Sequence, residues 1–110
     1  MIKRLLAVDG VTVVCRFRDD GRFVEGLGML DDEQMVRLAK FAHDYKRMVQ
    51  GNADQLSMFT QVRGWTPPRG WIVRGQANSV CSVGNLVCLV VNDEGSLAQV
   101  MDELQGAANA

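Results

Sequence analysis

The side chains with most chemistry to offer are three cysteines and a single histidine. Cys81 and Cys88 flank Gly84-Asn85, a dipeptide that favours a two-residue hairpin. Such a turn sets Val83 opposite Leu86, Ser82 opposite Val87 and Cys81 opposite Cys88, with the paired α-carbons about 5.5 Å apart. A redox switch or a sulfur-handling dithiol could be built that way. Reactivity, however, needs exposure and a lowered thiol pKa, and no Lys, Arg or His stands close in sequence to supply it. Free cysteine is among the most buried residue types, so small core hydrophobes are the competing reading, and Cys15 reads the same way. His43 could serve as a general base. It falls on a polar helical arc with Lys40, Asp44 and Arg47, and the sequence sets no Ser or Cys nucleophile beside it. The acids at 31–33 suit a helix N-terminus rather than an acid–base pair. With no Cys-x-x-Cys pair there is little material for zinc. The expectation is therefore no enzyme, no metal and no cofactor.

A second cluster offers recognition rather than reaction. Residues 37–74 carry seven Lys/Arg against two acids, whereas Asp93, Glu94, Asp102 and Glu103 crowd the last stretch. Two prolines bracketed by glycines at 64–71 make a stiff connection with Trp65 and Trp71 at its ends. Trp and Arg are over-represented in interface hot spots, and a rigid loop loses little entropy on binding. Arg63, Trp65, Arg69 and Arg74 are the candidate contacts for an acidic protein surface or an anionic ligand, with an ordinary solvated surface as the alternative. Trp71, at a strand start, is expected to pack inward. The net charge of −1 argues against a nucleic-acid module.

The elements that must position these residues are legible from pattern. A chain of 110 residues with 47% apolar content is read as one domain, 1–110, fraying from about 106. It shows neither a signal-peptide pattern nor a membrane span. An odd number of cysteines without such a signal points to free thiols in the cytoplasm. Ile2, Leu5 and Leu6 recur at helical spacing. The β-branched run 11–18 leads into Asp20-Gly21, a type I′ turn signal, which sets Arg16 opposite Glu25, Phe17 opposite Val24, and Cys15 and Val13 opposite Gly26 and Gly28. Those glycines leave room for a helix.

Asp31 with Gln34 forms a capping-box start for a long helix that Gly51 is expected to stop. Asn52 with Gln55 reads as a second start, for a short segment with Leu56, Phe59 and Val62. On the long helix the apolar arc spans roughly 180°, more than the ~100–140° that one sheet face requires. The surplus on Phe41 and Met48 needs a second intramolecular contact or a partner chain; a homodimer surface would use Met35, Leu38, Phe41, Tyr45 and Met48. Strands follow at 70–74 and 78–92, the last apolar on both faces and hence central. Ser96 with Gln99 opens a final helix that Gly106 is expected to close.

This order makes an α+β fold: a five-stranded antiparallel sheet with the long helix on one face and short terminal helices on the other. With Gly-Val-Thr-Val-Val-Cys-Arg-Phe-Arg-Asp-Asp-Gly at 10–21 and Asn-Leu-Val-Cys-Leu-Val-Val at 85–91, it resembles the roadblock (dynein light chain-like) and profilin-like proteins. The stretches Phe-Ala-His-Asp-Tyr-Lys-Arg-Met-Val-Gln-Gly-Asn at 41–52 and Gly-Trp-Thr-Pro-Pro-Arg-Gly-Trp-Ile-Val-Arg-Gly at 64–75 are similar to a small, functionally uncharacterised bacterial family found among bacteria that oxidise sulfur compounds. The roadblock resemblance implies homodimers in which long helices pack together and the sheet extends across the interface. It also implies regulation or scaffolding of small GTPases and other partners, without chemistry of their own. Two departures stand out: a much shorter first helix and an added segment at 52–70. The expected function is a non-catalytic homodimeric interaction or regulatory subunit. A redox or sulfur-oxidation accessory protein using Cys81 and Cys88, and a small-ligand sensor with a cavity under the long helix, are the alternatives.

Overall fold

The computed structural model describes residues 2–60 and 70–108. Helix α1 (Lys3–Leu6) precedes the hairpin β1 (Val11–Phe17) and β2 (Phe23–Gly28), then the long helix α2 (Asp32–Thr60). Strands β3 (Gly70–Arg74), β4 (Asn78–Val83) and β5 (Leu86–Val91) lead into α3 (Leu97–Ala108). The strands form one antiparallel sheet in the order β2-β1-β5-β4-β3. This is the α+β architecture the pattern implies.

The register explains the core. One line of partners, Leu27–Val14–Cys88–Cys81–Ile72, crosses all five strands on the face covered by α1 and α3. A neighbouring line, Gly26–Cys15–Val87–Ser82–Trp71, lies on the face covered by α2. Strand β5, central and two-sided, sends Leu86, Cys88 and Val90 to the first face and Val87 to the second. Its uniform apolarity in sequence is the consequence.

Local signals hold where they are short-range. The Asp31 amide donates to Gln34 Oε1 at 3.2 Å and the Gln34 amide to Asp31 Oδ1 at 2.8 Å, a reciprocal capping box. Val83 pairs with Leu86 around Gly84-Asn85, as expected. Arg16 faces Glu25, and Cys15 faces Gly26. The first turn differs from the expected type I′ pair. The Gly21 amide donates to the Arg18 carbonyl, and the Arg18 amide to the Arg22 carbonyl, both at 2.8 Å, around a three-residue loop with Gly21 at φ +90°. The extra loop residue is absorbed by a bulge, so Phe17 faces Phe23 rather than Val24, and the register recovers at Arg16.

Two helix ends also differ. Helix α2 runs through Gly51 to Thr60, so Asn52 is interior and not a new start. A glycine inside a helix costs only about 1 kcal/mol relative to alanine, too little to break a long helix alone. Helix α3 likewise passes Gly106 to Ala108, and its start is capped by Ser96 Oγ, which accepts from the Gln99 amide at 3.4 Å. Among the described residues no helix is long and apolar enough to cross a membrane.

Candidate functional site

Helix α2 decides which of its apolar residues meet the sheet. Met35, Ala39 and Ala42 are buried against Val13, Cys15, Phe17 and Val87. A Cβ on Gly26 would collide with the Met35 sulfur and lie 3.2 Å from the Cys15 sulfur, so the missing side chain sets how closely the helix approaches. This corrects the expected interface set. Met35 is turned into the core and is not available to a partner. Leu38 and Tyr45 are half-buried at the flank. Phe41 and Met48, the residues carrying the surplus of the arc, are 43% and 52% exposed.

The flank runs beside β3. Trp71 is 8% exposed and lies under it, with ring centroids 4.5 Å from Tyr45 and 6.0 Å from Phe41, the latter edge-on. Its indole N–H finds no acceptor among the described residues. Strand β3 is the outer strand on this side. The Gly75 amide donates to the Asn78 carbonyl at the hairpin turn. By antiparallel alternation Trp71 and Val73 therefore bond to β4, while Gly70, Ile72 and Arg74 turn their backbone groups outward. Ile72, 41% exposed, ends the apolar line on the opposite face. Among the described residues, half-exposed helix flank and outer strand edge thus form one continuous border.

Of the expected partner contacts, Arg74 stands exposed at the end of β3. Arg63, Trp65 and Arg69 lie outside the described residues. Cys81 and Cys88 do face each other. Both are fully buried, as is Cys15. Burial pushes the Cys15 and Cys81 thiols up to about 11, and Cys88, with the other two nearby, to about 12. The pair has the geometry of a dithiol and neither the access nor the thiolate character of a reactive one. Among the described residues, the space beneath the first half of α2, where a ligand sensor would need its cavity, is filled by the Val13–Phe17–Ala39–Ala42 cluster.

Sequence reasoning missed the role of His43. Its side chain is 15% exposed, not part of a solvated face. The ring Nε2 donates to the Asp19 carbonyl at 2.8 Å, and the ring lies edge-on to Phe17. Lys46, the one charge intruding on the apolar arc, donates to Asn85 Oδ1 at 3.1 Å, and Asn85 Nδ2 to Asp19 Oδ1 at 2.8 Å. One helix turn thereby ties both hairpin tips to α2. An open cleft of about 490 Å³ adjoins this network, lined by Arg16, Asp19, Lys46 and Asn85 among others. The break in the amphipathic pattern at Lys46 was the only available signal.

The architecture is that of the roadblock fold. It superposes on the crystal structure of a Roadblock/LC7 domain from Streptomyces avermitilis with a TM-score of 0.82, at 13% identity, over 97% of this chain and 88% of that one. Myxococcus xanthus MglB matches with a TM-score of 0.75 at 17% identity, over 96% and 84%. A structure described as "MglB with tetrameric arrangement" matches at 0.74 and 12%, over 97% and 81%. At these identities the likeness is one of fold. The chain itself belongs to the family described as "Uncharacterized conserved protein (DUF2173)", whose model matches residues 1–106. No curated protein matches the sequence.

Proposed function

We propose that this protein is a non-catalytic interaction subunit that works in the cytoplasm as a homodimer, regulating or scaffolding another protein. The observation that carries the reading is the border of α2 and β3. Phe41 and Met48 stay half-exposed over a buried tryptophan, beside a strand edge whose outward backbone groups find no partner among the described residues. An unpaired edge and an apolar flank side by side are liabilities for a monomer. Two copies related by a two-fold axis would cover both at once. The tetrameric arrangement of a protein with this fold supports self-association. Arg63, Trp65, Arg69 and Arg74 are the proposed contacts for a further protein with an acidic surface.

Sedimentation equilibrium at micromolar concentration tests the dimer. The expected mass is about twice 12.1 kDa, and Phe41→Asp with Met48→Asp should give folded monomers. Ile72→Pro removes only an outward-facing amide, so it should abolish the dimer and spare the internal ladder. A wild-type monomer ends the proposal.

A further inference from the structure

We propose that the cleft between the two hairpin tips binds a small phosphate ester that also carries a hydroxyl group. The proposal stands apart from the dimer reading and concerns a different part of the molecule. Three elements converge on the cleft: Arg16 comes from β1, Lys46 from α2 and Asn85 from the turn between β4 and β5. Its volume of about 490 Å³ is within the range of small-molecule sites. Where α3 reaches it, the lining is Ala107 and Ala108. A Cβ built on Gly84 would meet nothing nearer than the Ala108 Cβ at 3.5 Å, so the space is open on this side.

Lys46 is a cation that the packing of an amphipathic helix gives no reason to place here. It interrupts the apolar arc of α2, is half-buried, and donates to Asn85 Oδ1 at 3.1 Å. An ammonium carries three donors, and among the described residues only this one is engaged. Arg16 is half-buried too, and its contact with Glu25 is 3.9 Å, too long for a hydrogen bond. The backbone of both walls is fixed before any ligand arrives. Arg16 sits opposite Leu86 in the sheet, and the Phe17 amide donates to the Asn85 carbonyl at 3.0 Å. Groups held in place this way lose little freedom on binding.

The charges favour an anion. The pairs Arg22–Asp20 and Arg16–Glu25 offset internally. Around the cleft and its neighbouring openings that leaves Arg18, Lys46 and Arg47 against Asp19 and Asp44, a modest positive excess. Arg18 and Arg47 are exposed and supply a field, whereas Arg16 and Lys46 are recessed and supply contacts. Recessed cations suit a group that enters a cleft rather than a flat acidic surface. Guanidinium and ammonium donors together match the oxygens of a phosphate. Asp19 sets the second requirement. One of its carboxylate oxygens accepts from Asn85 Nδ2 at 2.8 Å, and the other has no hydrogen bond among the described residues. A bare anion meets this carboxylate as a like charge, whereas a ligand hydroxyl donates to it.

Titrations of the full-length chain followed by amide NMR test the site, with glycerol 3-phosphate, inorganic phosphate and glycerol as probes. Glycerol 3-phosphate should saturate with a Kd below about 1 mM, moving the amides of Phe17, Lys46 and Asn85. Inorganic phosphate should bind at least about tenfold more weakly for want of a hydroxyl, and glycerol should not bind. Lys46→Gln and Arg16→Gln should each weaken glycerol 3-phosphate at least about tenfold, as loss of a charge-assisted contact does. Arg47→Gln, which removes only a screened charge, should change it by less than about threefold. Asp19→Asn keeps an acceptor for Asn85 and removes the like charge, so it should tighten inorganic phosphate and narrow the preference between the two phosphates. Circular dichroism checks the fold of each variant; should Lys46→Gln unfold, Arg16→Gln and the wild-type shift map decide. No saturation by about 10 mM glycerol 3-phosphate overturns the proposal. So does undiminished binding by Arg16→Gln, and so do shifts centred on Arg37 and Lys40, the mark of an adventitious ion only. Equal binding of the two phosphates by the wild type overturns the hydroxyl requirement and the ligand class with it.

Discussion

The two edges of the sheet are built to opposite rules. At the β2 edge the strand carries a bulge at Val24, a charge at Glu25 and a glycine locked under Met35. A partner strand arriving there would find an interrupted register. At the β3 edge the pairing to β4 is unbroken from Gly70 to Arg74, the middle residue is an exposed isoleucine, and an apolar helix flank runs alongside. Edge strands invite association unless bulges, charges or short length prevent it. Among the described residues one edge of this sheet is guarded and the other is not, which is the contrast the proposed association rests on.

The comparison breaks most visibly at Trp71. Trp71→Ala removes the β3 ring on which Phe41 and Tyr45 of α2 pack, and should cost about 3–5 kcal/mol, as buried aromatic truncations do. Melting curves in the Phe41→Asp, Met48→Asp background would separate this folding loss from dissociation. An unchanged Tm there would show that Trp71 serves the interface alone.

At the guarded edge, the sensitive residue is Gly26. Gly26→Ala pushes a methyl into the Met35 sulfur and should cost roughly 1–3 kcal/mol, as overpacking does. Met35→Ala should recover part of that loss in a double-mutant cycle. The dimer constant should stay at the wild-type value, since nothing at this edge is proposed to meet a partner. A shift in oligomeric state caused by Gly26→Ala would erase the distinction between the edges.

The strands between the edges should respond to alkali in the same way in monomer and dimer. The buried thiols hold their protons until about pH 11 to 12, whereas in the unfolded chain they ionise near pH 9. A group whose pKa is raised by folding stabilises the fold fully below its unfolded value, and that contribution is lost as pH climbs toward the folded one. Stability should therefore be flat in this respect below pH 8 and fall from about pH 9 upward. Each thiol should contribute about 1.4 kcal/mol of loss per pH unit, and replacing Cys81 or Cys88 by Ala should flatten the slope by one such step. Rapid labelling of either thiol by a thiol reagent at neutral pH would contradict the burial and revive the redox reading.

Much of this was legible because it is encoded within a few residues. The Asp31–Gln34 cap, the Gly84-Asn85 turn and the two-sided apolarity of β5 are short-range properties, and so is the set of strands they delimit. Even the register of β1 and β2 followed from pairing Arg16 with Glu25, despite a wrong turn type, because the bulge returned what the longer loop had taken. Helical periodicity likewise showed that α2 carries more apolar surface than one sheet can cover. It could not show which side the sheet would take. That choice, Met35 inward and Phe41 and Met48 at the rim, was made by a glycine in a different strand that lets one side of the helix approach more closely. The same holds for His43 and Lys46, whose partners Asp19 and Asn85 are 24 and 39 residues away. It holds too for Gly51, whose signal to stop was outweighed by the helix on either side. The sequence by itself determined the elements and their faces, since those depend on neighbours along the chain. Tertiary structure alone decided which face met which, because packing selects among periodic alternatives that differ by contacts no local pattern contains.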